Sequence, residues 1–434
     1  MPIRFLSLCI SRSGAGNENQ RQKEAINNLQ STILIETGEI GVIERLVRAC
    51  GFVLFAIFLL HPVASQNKAP YEGAYRVPSS ESMAFTAERF KPAMSDSVYF
   101  MGVFDDGSIL IFSVFHYETS LFERWGVYAL VSKAGRFDDA TPDSQISSFD
   151  TVWVSESIDR GSVVFDTERL SISSGENSIS GEGLVYEIDW LAGEIDIDLR
   201  FENKLPPWIL GDGYDILGNP EHSFQRRSVF SPWARVSGTI STADEEGTWT
   251  AREVSGEGMA EKAIIVNGLN KFNPELISMR VFGIGGDIQG YDLTKGLHIG
   301  LLDSTAHPAY GSVRLPRLFV TRDDTWLFAT GTYNIEILEM GRVSHLPYEY
   351  PLRFRLIGEG AGYQLSGIYT TTSLINTTDI LAELPTILRR LVLIFVERPV
   401  YYRTIGLFEG VLTHPDGRDE AVTLYGPYEY VIAH

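Results

Sequence analysis

Residues 184–201 read LVYEIDWLAGEIDIDLRF. Tyr186, Ile188 and Trp190 alternate with Glu187 and Asp189; after Gly193, Ile195, Ile197, Leu199 and Phe201 alternate with Asp196, Asp198 and Arg200. Successive side chains of a strand point to opposite faces, so this period of two describes two strands, each with one buried and one wet face. Gly193 supplies the tight turn between them. Residues 99–104 and 109–115 repeat the pattern about Asp105-Asp106-Gly107, where Asp-Gly suits the positive φ of a hairpin. Similar runs follow at 126–132, 151–155, 235–240, 248–254, 278–282, 313–320, 326–338, 352–357, 363–369, 405–412 and 421–432. So many strands without a β-α rhythm predict an all-β chain of antiparallel barrels or sandwiches.

One stretch departs from period two. Residues 378–390 (TDILAELPTILRR) place Ile380, Leu381, Leu384, Ile387 and Leu388 at helical spacing, with Asp379 near the N-cap and Arg389 and Arg390 at the end. Pro385 belongs to its first turns or kinks it. The apolar run 391–396 continues it. This predicts a short inserted helix and a buried strand; the sharper reading is a lid, or transient membrane contact through 378–396. A Pro/Gly-rich stretch (206–220) and the polar run 222–227 precede a new β series at Trp233. They divide the body into halves of 71–225 and 226–434.

The composition narrows the function. The 434 residues carry 36 Lys and Arg against 56 Asp and Glu, a net charge of −20, which excludes the basic face that nucleic acid requires. Aromatic residues make up 12%, a share that suits half-buried pleated surfaces. The two cysteines, Cys9 and Cys50, both precede residue 66. Arg45 and Arg48 introduce the apolar run 49–60, and Val63 and Ser65 occupy the small-residue positions of a signal cleavage site before Gln66. Residues 45–65 therefore read as a secretory signal or an uncleaved signal anchor, too short an apolar run to cross a bilayer at roughly 20 residues. The polar prefix 1–44 is long for a signal and points to a start downstream of Met1 or to a cytoplasmic tail. Trimmed at 66, the protein has no thiol for a disulfide, a cysteine nucleophile or a Cys-ligated zinc.

The histidines (His61, His116, His222, His298, His307, His345, His414 and His434) form no H-E-x-x-H and no pair at ligand spacing. Gly283-Ile-Gly285-Gly286 lacks the third glycine of a dinucleotide loop, and no G-x-S-x-G elbow occurs. No metal and no cofactor are expected. Trp208 to Tyr214 sets two aromatics beside Asp212 on glycine-permitted backbone, and Glu257 lies between Gly256 and Gly258. A carboxyl held near apolar rings has a raised pKa and can donate a proton, so Asp212 and Glu257 are the catalytic candidates. As turn residues at the seam between the halves, both have a purely structural alternative. Trp190, Trp208, Tyr214, His222, Trp233 and Arg235 are the expected ligand-lining side chains.

Residues 171–213, the run Ser231-Pro232-Trp233-Ala234-Arg235-Val236-Ser237-Gly238, the Gly256-Glu257-Gly258 bracket and the ending at 410–430 resemble the lipocalin-like AttH and carotenoid-hydratase superfamily. That superfamily includes kievitone hydratase and fungal lipocalin-like Diels–Alderases. The resemblance implies two consecutive lipocalin-like β domains and a large apolar ligand, a terpenoid, polyene or polyketide. It implies cofactor-free hydration, isomerisation or cyclisation, or else a non-catalytic carrier; a cell-surface binding module is the remaining alternative. Many members follow the glycine bracket with an aromatic and an Asp-His pair before a Trp. Here the chain reads Met259-Ala260-Glu261-Lys262, so that histidine's role is not available in the same way.

Overall fold

The computed structural model describes residues 75–76, 82–90, 93–119, 123–132, 151–210, 213–219, 221–267, 272–288, 290–344, 346–379 and 399–433. The prefix 1–44, the segment 45–65, Asp212 and residues 380–398 of the expected insertion lie outside them. Thr378 and Asp379, expected to open a helix, end the strand Tyr363–Asp379, paired with Tyr401 and Val400. No described helix is long and apolar enough to cross a membrane.

Two large antiparallel sheets, with two two-stranded ones besides, make up the described residues' β structure. In the first, the order runs Thr151–Ile158, Glu123–Ser132, Ile109–Thr119, Ala93–Phe104, Trp249–Val266, Phe224–Ala243, Ile195–Asn203, Val185–Ala192 and Asn177–Glu182, then two short strands. The opening hairpin forms as read: Ile195 pairs with Ala192 and Phe201 with Tyr186, and Gly193 holds a φ of 50°. Strands 123–132 and 151–158 approach 195–203 across the interior, so the sheet curls into a near-closed barrel. Its inward residues are the apolar half of each alternation: Phe100, Phe112, Trp125, Ile188, Trp190, Ile197 and Phe201. Phe85, from the segment 82–90, enters the same core, 5.3 Å from the Trp125 ring.

The second sheet runs Thr325–Thr330, Arg314–Arg322, Leu297–Thr305, Glu275–Phe282, Asp419–Ile432, Val400–Thr413, Tyr363–Asp379, Glu349–Gly360 and Tyr333–Arg342. Its core is rich in tyrosine: Tyr350, Tyr369, Tyr402 and Tyr428 pack with Phe354. The strand expected over 326–338 is two strands, broken at Gly331-Thr332, that pair with different neighbours at opposite edges of the sheet. Alternation alone does not reveal such a break, because both pieces keep the same period. The strand Phe224–Ala243, at the expected start of the second half, pairs within the first sheet, and the change of sheet falls between Val266 and Glu275.

The sheets meet face to face through a third apolar cluster. Met101, Val103, Ile111, Trp208, Trp233 and Met259 from the first pack on Phe282, Phe319, Ile405, Leu407 and Tyr425 from the second. Beside this layer lie buried ions. Asp215 pairs with Arg317, Glu261 joins Arg227 (3.2 Å) to Arg280 (3.1 Å), and the Tyr99 hydroxyl donates to Glu429 (3.2 Å), itself paired with Arg403. The departure at Glu261-Lys262 thus has a structural use: Glu261 ties the sheets together, and Lys262 forms a fully buried pair with Asp96.

Candidate functional site

Glu257 does not lie in a turn. It stands within the strand Trp249–Val266, between Arg235 and Val103 in register. The glycines beside it permit this packing, since a Cβ at Gly256 would meet the Val103 carbonyl at 2.2 Å and one at Gly258 the Met101 carbonyl at 2.5 Å. The Glu257 carboxylate accepts from Lys204 Nζ at 2.7 Å and from Trp233 Nε1 at 2.6 Å. Lys204 also sits 4.0 Å over the Trp233 ring. Burial pushes the Glu257 pKa up, while Lys204, Trp233 and the nearby Arg235 act to lower it. Burial prevails, so the pKa lies above the usual carboxylate value, with the Lys204 ammonium against the carboxyl group.

Trp233 leads across the seam to His298, with ring centroids 6.4 Å apart. His298 is fully buried and stacked on Phe282 at 4.3 Å, and Phe319 meets it edge-on at 5.4 Å. Neither imidazole nitrogen has a well-formed hydrogen bond. Burial holds its pKa well below the usual value, Arg280 adds to the effect, and the Pro232 carbonyl opposes it. Directly opposite His298 in register is Thr321, also fully buried, whose hydroxyl lacks a partner. Trp208 completes the group: its ring stacks on Trp326 (5.2 Å) and packs on Phe319 (5.1 Å), and its indole N–H is buried without an acceptor.

The structure therefore brings together Glu257, Trp233 and Trp208 of the expected site, with Arg235 exposed in the register position beside Glu257. It separates the others. Trp190 belongs to the first barrel's core, 5.9 Å from Phe112. Tyr214 packs on Phe224 and its hydroxyl accepts from Arg226. His222 is exposed, 3.9 Å from Glu221. Lys204, His298 and Thr321 escaped sequence reasoning: a single polar residue in an apolar strand, as His298 and Thr321 are, carries no spacing signal, and Lys204 follows a strand end among other polar residues. The seam itself is a layer of packed side chains. A groove of about 480 Å³ lined by Thr330, Glu359, Tyr363 and Gln364 reaches it only at Ala329.

A near-closed antiparallel barrel followed by a second curled sheet defines a lipocalin-like two-part β protein. The chain belongs to the Svf1 family, which matches residues 60–405. No curated protein sequence matches it. Among solved structures it is similar to CghA in complex with Sch210972 (12% identity, TM-score 0.55, 84% of this chain and 95% of that one). It is also similar to kievitone hydratase from Nectria haematococca (10%, 0.46, 84% and 98%) and to an AttH protein from Nitrosomonas europaea (12%, 0.47, 80% and 97%). At such identities the likeness is one of fold.

Proposed function

We propose that this protein binds a large apolar molecule carrying an uncharged oxygen group, with Trp208, His298 and Thr321 as the polar contacts and Phe282, Phe319 and Trp326 as the wall. The observation that carries this reading is a set of buried polar groups without a well-formed hydrogen bond in an aromatic layer: Trp208 Nε1, Thr321 Oγ1 and the imidazole of His298, which has the Pro232 carbonyl beside it. An unmet buried donor or acceptor costs about 1–3 kcal/mol, so such a set is retained where something else, a ligand or water, completes it. A neutral imidazole suits a hydroxyl or carbonyl, which it can meet as donor or acceptor. The fold lends support, since the related CghA structure holds Sch210972. Because the layer is closed, binding requires side chains to part, and half-buried Trp326 is the natural point of admission.

A carrier is the first reading. Cofactor-free catalysis is the second, and rests on Glu257. Its burial favours proton donation, but Lys204 at 2.7 Å favours the carboxylate, which weighs toward binding. Export through residues 45–65, or anchoring by them, belongs to the same proposal, as does membrane contact at 378–396.

Native mass spectrometry of gently purified protein, with Nile red binding alongside, tests the reading. A bound apolar mass and Nile red uptake are expected, and His298→Phe with Thr321→Val is expected to lose the mass. A clean protein that ignores Nile red would overturn it. If the bound compound is converted by the protein but not by Glu257→Gln, the catalytic reading replaces the carrier.

A further inference from the structure

We infer that the end of the hairpin Ile109–Thr119 and Glu123–Ser132 where the two strands connect is a site for one divalent transition-metal ion, held by His116, Glu118 and Glu123. The register places Glu118 directly opposite Glu123 and His116 opposite Trp125. Residues two apart on a strand share a face, so all three side chains project to the same side. One ligand atom from each lies within 4.8 Å of the others.

Two carboxylates facing each other across a ladder repel, and something must offset that. Arg89 reaches Glu118 at 3.3 Å and Glu123 at 3.8 Å, and Arg160 reaches Glu123 at 2.7 Å. Both arginines are more than half exposed, at 56% and 63%, and approach from outside. They balance the charge but leave Glu118 Oε2 buried without a hydrogen-bond partner, as is His116 Nδ1. His116 is only 6% exposed, and its ring is fixed by stacking on Trp125 at 4.4 Å and 10°. Its Nε2 is directed into the cluster, 3.2 Å from Glu123 Oε1.

One imidazole and two carboxylates suit Zn2+, which takes three protein ligands and leaves a fourth position for water. The imidazole disfavours Mg2+ and Ca2+, which seek oxygen alone. With the ion bound, Arg160 orients the Glu123 carboxylate from the outer shell. Arg89 plays the opposite part, since its charge beside both carboxylates competes with the ion. The bound ion would pin the end of this hairpin.

Zinc titration of the chelator-treated full chain by calorimetry tests the site, with Mg2+ as control. One Zn2+ per chain is expected, weakened by at least about tenfold in His116→Ala and in Glu118→Gln, and tightened in Arg89→Ala. Arg89 is a surface residue, so its variant keeps the test informative even if His116→Ala folds poorly. Zinc uptake unchanged in all three variants, or absent from the wild type, would overturn the inference.

Discussion

The interior of the first barrel and the seam between the sheets are both built from buried aromatics, yet they differ in what they leave unmet. In the barrel, Phe85, Phe100, Phe112, Trp125 and Trp190 pack ring against ring; Lys262, over the Phe85 ring, is paired with Asp96, and His116 stacks on Trp125. At the seam, Trp208, Phe282, Phe319 and Trp326 do the same around a hydroxyl and an indole N–H that find no partner and an imidazole beside the Pro232 carbonyl, with ion pairs alongside. Apolar packing by itself favours the first arrangement, because burying polar groups costs free energy that a hydrocarbon core avoids. The contrast teaches where to look for function: not in the best-packed region, but where the packing tolerates a polar deficit.

The sharpest way to break the comparison is through the seam's ions. Asp215 and Arg317 are both nearly inaccessible, and Gln225 donates to the same carboxylate at 2.7 Å. Asp215→Ala strands a buried guanidinium and is expected to lower urea stability by about 3–5 kcal/mol. A loss below about 1 kcal/mol would show that the seam is wetter than its burial implies.

A smaller effect separates the imidazole from its surroundings. The folded state holds His298 neutral well below the pH at which an unfolded histidine takes up its proton. As pH falls through about 6.5 the unfolded chain binds a proton that the folded one refuses, so stability drops with acidification. The slope from this group reaches at most about 1.4 kcal/mol per pH unit. His298→Phe keeps the ring stack on Phe282 and should flatten the stability profile between pH 6.5 and 5 relative to wild type; unaltered profiles would mean that His298 titrates normally.

The outer face of the barrel supplies the smallest effect. Arg200 meets Glu187 at 2.6 Å, but both side chains are about half exposed. Glu187→Ala is expected to change stability by less than about 1 kcal/mol, and less still at high salt. A larger loss would place that face in an interface.

Local patterning made much of the architecture legible. The hairpin at residues 184–201 formed in the register its alternation demands, as did the one around Asp105-Asp106-Gly107. Legibility failed where two local signals were alike. The run 326–338 kept its period across Gly331 while the chain left one strand partner for another. Glu257 looked like a turn residue because glycines flank it, but those glycines serve close approach of neighbouring strands within a ladder. Of the expected site, Glu257, Trp208 and Trp233 meet at or beside the seam, whereas Trp190 stays in the barrel's core.

What this chain determined by itself was whatever depends on neighbours along it: strand faces, turn positions, the acid surface, the apolar runs. Those follow from pleat geometry, which acts over a few residues. Only the tertiary structure decided that Asp215 would meet Arg317, 102 residues away, and that Trp208 and His298 would both pack on Phe319. Such pairings depend on how two curled sheets are pressed together, and no periodicity in a strand records which face of another sheet it will touch.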